Sequence, residues 1–136
     1  SQIFEARCEE TFGKMETLVE TFESQPHTLE QVEAALSIAK NFPEKHKPLI
    51  ERLEKLRDRL EFKGTVNRET YYEKVLPFIA KADPKVGEEM IKPHKRISID
   101  GERVKIEEEI RDEEHDLDIV FKDSRIAEKF RELQVM

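Results

Sequence analysis

The chain is short of the residues from which many functional sites are built. Its 136 residues include one cysteine, four glycines, two tyrosines and no tryptophan. The single cysteine, Cys8, excludes an internal disulfide and any site held by several thiolates, so a reducing compartment is expected: intracellular, cytoplasmic or nuclear. Gly13, Gly64, Gly87 and Gly101 are isolated from one another, which removes glycine-rich phosphate loops and the dinucleotide fingerprint. Apolar runs are short as well. The stretch from Val75 to Ala80 is far below the roughly 18 residues of a membrane span, so no membrane partner is expected. The start, Ser1 to Glu5, has neither an initiator methionine nor the basic, apolar and small-residue zones of a secretory signal, which suggests an excised fragment or a tag scar.

What the chain has in abundance is charge. There are 24 basic and 31 acidic side chains, a formal net charge of -7. This balance disfavours nonspecific binding to nucleic acid, which needs clustered Lys and Arg to displace counterions. The charge is uneven, with nets of -3, +2 and -6 for residues 1–64, 65–96 and 97–136. Near Pro93 the hydrophobic period also changes from helical to alternating. Residues 1–92 are therefore expected to form an antiparallel helical bundle, and residues 93–136 a β-hairpin, a third strand and a C-terminal helix packed on it as one domain.

Phe4, Cys8, Phe12, Met15, Val19 and Phe22 recur three or four apart and predict a first helix over about 2–24. Thr28 and Gln31 have capping-box spacing, with Leu29, Val32, Leu36 and Ala39 as the buried face of a second helix that Pro43 stops. Pro48 suits the first turn of a third helix with Leu49, Leu53, Leu56 and Leu60, and Gly64 is placed as its C-terminal cap. Asn67 caps a fourth helix containing Tyr71, Tyr72, Val75, Leu76 and Ile79, which Pro77 should kink or end. Asp83 and Pro84 open a short fifth helix to about Ile91.

Ile97 and Ile99 alternate on one side of Asp100 and Gly101, as do Val104 and Ile106 on the other. A type I′ turn at Asp100 and Gly101 would put Ile97 opposite Val104. Leu117, Ile119 and Phe121 form the third strand, and Asp123 or Ser124 caps a last helix with Ile126, Phe130 and Leu133. The fold class is α+β, mainly α, with a three-stranded antiparallel sheet.

Chemistry is thinly marked. Cys8 lies in an apolar stripe and reads as a packed core thiol. His27, His46, His94 and His115 share no helical ligand spacing, and His46 and His94 read as exposed turn residues. His115 stands among acidic residues but lacks the ligand order of a calcium loop. No catalytic, cofactor or metal residues are assigned. Residues 107–118 hold eight acidic residues against Arg111. Glu107, Glu108, Glu109, Asp112, Glu113 and Glu114 are either a solvated strand end that discourages edge pairing or a surface for a basic partner protein. Tyr71 and Tyr72 are binding candidates because tyrosine is favoured in hot spots, with a core role as the alternative. Lys81, Lys85, Lys92, Lys95 and Arg96 make a loose basic strip that would contact phosphate or nucleic acid. Phe4, Phe12, Met15, Val19 and Phe22 exceed what a small bundle needs, so a homodimer through this helix or the hairpin is set against a monomer.

These features favour a non-enzymatic interaction or assembly module, a scaffold or adaptor of an intracellular complex. The alternatives are a small enzyme with carboxylate or histidine chemistry assembled from distant residues, and a nucleic-acid-binding module using the strip from Lys81 to Arg96. No cofactor is expected.

Overall fold

The computed structural model describes the backbone of residues 2–82, 94–100, 103–109 and 114–135, and the side chains of residues 12–82, 99 and 117–135. The protein is α+β and mainly helical. It divides into two compact units, residues 1–58 and 59–136, whereas the expected organisational break was at Pro93.

The first unit is built from three helices. Helix α1 is Gln2–Ser24, α2 is Leu29–Ala39 and α3 is Lys47–Arg59. Each buries the face its periodicity marks: Met15, Val19 and Phe22 from α1, Leu29, Val32, Ala35, Leu36 and Ala39 from α2, and Leu49, Leu53 and Leu56 from α3. The capping box of α2 is complete. The Gln31 N–H donates to the Thr28 hydroxyl at 3.2 Å, and the Thr28 N–H donates to the Gln31 side-chain carbonyl at 2.9 Å. Arg52 of α3 donates through Nε and a terminal nitrogen to both carboxylate oxygens of Glu23 at the end of α1.

The second unit begins with a strand where a helix cap was expected. Strand β1, Glu61–Asn67, is followed by helix α4 (residues 68–82), then β2, His94–Asp100, β3, Arg103–Glu109, β4, Glu114–Phe121, and helix α5, Ser124–Arg131. The sheet has four strands in the order β1-β4-β2-β3, not the expected three, and mixes directions: β1 and β4 are antiparallel, β4 and β2 parallel, β2 and β3 antiparallel. Gly64 is not a helix cap. It sits mid-strand opposite Leu117. Phe62 and Val66 alternate with Glu61, Lys63 and Thr65, so β1 is a half-buried strand whose period the glycine interrupts.

The register gathers the apolar positions onto one face. Phe62 lies opposite Ile119, Ile119 beside Ile97, Ile97 opposite Ile106, and Ile99 opposite Val104. Ile97 was expected to face Val104. The pairing differs by two residues, so that Asp100 and Arg103 close the hairpin. This register sets all four apolar positions of β2 and β3 directly across from one another, where the expected turn would have set Ile99 against Glu102. The expected turn at Gly101 and the fifth helix from Asp83 to Ile91 lie outside the described residues.

Helix α4 keeps going through its proline. Asn67 caps it by accepting the Thr70 N–H at 2.7 Å. Residues Tyr71–Val75 then make a π turn in which the Leu76 N–H donates to the Tyr71 carbonyl five residues back. Pro77 lacks an N–H for the next bond, and the wider turn absorbs that loss so that helix resumes over Leu76–Ala82. Helix α5 is capped by Asp123, whose carboxylate accepts the Arg125 N–H at 2.8 Å. Its Phe130 ring meets Phe62, Phe78 and Phe121 at centroid distances of 5.1, 5.5 and 5.1 Å. The ring is 1% exposed, so β1, β4, α4 and α5 share one apolar centre.

Truncating Phe130 to Ala is expected to destabilise the second unit by about 3–5 kcal/mol, with Phe130→Leu costing less. Chemical unfolding followed by circular dichroism checks the order of the two variants. In the first unit, the Arg52 guanidinium holds the Glu23 carboxyl below the usual carboxylate range by hydrogen bonding, against the opposing effect of burial. Because the folded group is the more acidic, its stabilisation is present above the unfolded pKa and is lost as pH falls through the folded value. The side chains are 34% and 38% exposed, so solvent screening limits the pair to about 0.5 kcal/mol. The urea midpoint of Glu23→Gln should fall slightly below that of the parent near neutral pH, and the two should converge as the solution is acidified below the ordinary glutamate range.

Candidate interaction surfaces

The turn between α2 and α3 is organised from beneath by a histidine. His46 was expected to be exposed, but it is 1% exposed. Its Nδ1–H donates to the Ala39 carbonyl at 2.9 Å, a second donor to an oxygen that also accepts the Phe42 N–H at 3.1 Å. The ring stacks on Phe12 of α1 and meets Phe42 edge-on, both at 5.9 Å. Nε2 has no hydrogen-bond partner among the described residues. Backbone bonds from Asn41 to Ile38, Phe42 to Ala39 and His46 to Phe42 close the turn further. This order holds large apolar groups at the surface: Ile38 is 51% exposed and Phe42 39%. Lys40, Lys45 and Lys47 are exposed around them.

The candidates of the first helix lie mostly inside. Met15, Val19 and Phe22 are buried in the single chain, Phe12 is half-buried against His46, and the Phe4 side chain lies outside the described residues. Leu18, which the periodicity did not mark, is 37% exposed. The tyrosine pair divides as the core alternative requires. Tyr71 is fully buried, leaving only half-buried Tyr72 to meet a partner, and the Arg68 guanidinium lies 5.5 Å from its ring.

The acidic candidates belong to the sheet. β3 is an edge strand that pairs with β2 among the described residues. Glu108 takes the register position opposite Arg96, and Glu109 that opposite His94. The acidic run thus adjoins the end of the basic strip, and the two charge signals share neighbouring strands. Glu114 opens β4 opposite Asn67, while Asp112 and Glu113 lie outside the described residues. His115 is placed opposite Val66.

A groove of about 690 Å³ runs between the end of α4 and α5. Phe78, Ala82 and Ile126 line it with Lys81 and Lys129. Arg125, Asp123 and the exposed Glu132 also border it, but Arg125 donates to Asp123 at 2.7 and 3.0 Å, and this contact raises the guanidinium pKa. Lys81 is the member of the basic strip that the described structure places at a cavity. Lys129 and Arg125 join it from a helix far along the chain, which sequence spacing had no means to show.

Among the described residues no His, Cys, Asp and Glu group is placed to hold a metal ion, and no helix is long and apolar enough to cross a membrane. Comparison with protein-family models, curated proteins and solved structures finds no match.

His46→Leu should destabilise the first unit by about 0.5–1.5 kcal/mol, because the Ala39 carbonyl loses its side-chain donor and keeps only the Phe42 N–H. The unfolding midpoint and the amide exchange of residues 38–47 report it. Loss of protection confined to that turn is the expected pattern.

Proposed function

We propose that the chain is a non-enzymatic protein interaction or assembly module of an intracellular complex. The observation that supports this reading is the edge strand β3, which carries Glu107, Glu108 and Glu109 as its last residues. An edge strand offers main-chain donors and acceptors to an added strand, and specificity then comes from side chains. Three consecutive carboxylates repel another acidic edge, which protects the sheet from pairing with its own kind. The same charges attract a basic segment and raise its rate of encounter. Protection and selection therefore follow from one composition, and the partner is a protein presenting a basic extended segment.

The groove favours a second reading. Lys81 and Lys129 over an apolar floor suit a ligand with an anionic group, as the nucleic-acid alternative requires. RNA binding that is steeply salt-dependent and is lost in Lys81→Gln with Lys129→Gln would favour it over the protein-partner reading.

The protein-partner reading is tested with a partner recovered by affinity capture. Glu107→Gln, Glu108→Gln and Glu109→Gln together should slow association by about tenfold at low ionic strength and by much less at physiological salt. Stopped-flow association rates that do not differ at low salt would overturn the role of this edge.

A further inference from the structure

We propose that the exposed face of α2 is a self-complementary docking surface whose occupant is a second copy of this chain, related by a two-fold axis with the two α2 helices antiparallel. Helix α2 buries Leu29, Val32, Ala35, Leu36 and Ala39. On its opposite side Ala34 and Ile38 are both exposed, four residues apart and hence on one helical face. Phe42 extends this apolar patch onto the following turn.

Exposed charge changes sign from the start of α2 to the turn that follows it. Glu30 and Glu33 are exposed near the start of α2, while Lys40, Lys45 and Lys47 are exposed beyond its end, with Glu44 as the acid among them. The surface therefore runs from acidic through apolar to basic. A parallel copy would set like charges together at both ends. An antiparallel copy sets the glutamates of each protomer against the lysines of the other, and the two-fold axis makes this contact twice. The helix ends agree, because each α2 N-terminus then lies beside its partner's C-terminus. Ala34, at the middle of α2, then lies near the axis and is small enough to let the helices approach, with Ile38 of each protomer packed beside it.

The His46 hydrogen bond and its ring contacts with Phe12 and Phe42 hold the basic end of the surface in place before binding, which limits the ordering cost of association. An 11-residue helix is only about 16 Å long, so the dimer is weak and depends on concentration. This places self-association on α2 rather than on the first helix, where Met15, Val19 and Phe22 are already covered in one chain. The inference deepens the interaction-module reading but does not use β3.

Sedimentation equilibrium of the full chain from about 10 μM to about 1 mM spans the affinity expected of so small a surface. The parent should show a monomer–dimer equilibrium, and Ile38→Glu should weaken it by at least about tenfold. Glu30→Lys with Glu33→Lys should be monomeric alone, as should Lys40→Glu with Lys45→Glu. Mixing these two variants should restore a heterodimer, because unlike charges then meet at both ends. All five positions are exposed, and circular dichroism verifies that each variant is folded. A parent that stays monomeric at every concentration, a dimer indifferent to Ile38→Glu, or no recovery on mixing would overturn the proposal. The Glu107, Glu108 and Glu109 variant should dimerise like the parent, so failure at α2 and failure at β3 are read separately.

Discussion

The contact of Phe130 with Phe62, Phe78 and Phe121 is the point on which the second unit depends. A four-stranded sheet with one apolar face is not stable while that face meets water. Phe130 brings the last helix onto it and meets a ring from β1, from α4 and from β4. At the same end Arg59 donates to Glu128 of α5 at 2.7 Å, and the Arg131 pKa is lowered first by burial and then by the nearby Arg59 cation. The ionic contacts are exposed and individually weak, so ring burial dominates the docking of α5.

The first unit solves a different problem. Its three helices bury regular apolar faces, but the connection from α2 to α3 must end one helix and begin another within a few residues. A buried imidazole does this by supplying a donor to the last turn of α2 while its ring packs against both Phe12 and Phe42. The consequence reaches the surface. Because His46 occupies the interior of the turn, the Phe42 ring remains partly outside beside Ile38 and the lysines. An internal polar contact thereby shapes an external apolar patch.

Much of the architecture was legible in the sequence. Helix α1 over residues 2–24, the capping box at Thr28 and Gln31, the Asn67 and Asp123 caps, and the alternation of Leu117, Ile119 and Phe121 all rest on local rules that neighbouring residues satisfy among themselves. Strand β1 was missed because Gly64 reads equally as a helix cap and as a gap in an alternating strand. Only pairing with Leu117 on a distant strand decides between them. Tyr71 and Tyr72 are adjacent and alike in sequence, and which ring is buried depends on the helix phase through the π turn. His46, flanked by Glu44, Lys45 and Lys47, carried no local sign that it would be buried.

The sequence by itself determined the spans of the first two helices, the caps at Thr28, Asn67 and Asp123 and the mainly helical α+β class, because hydrogen bonds and hydrophobic period act over a few residues. Tertiary structure alone decided the four-strand order, the pairing of Ile97 with Ile106, the meeting of four phenylalanines and the burial of His46. Those outcomes depend on contacts between residues far apart in the chain, where the free energy of covering one face selects among pairings that local sequence leaves equivalent.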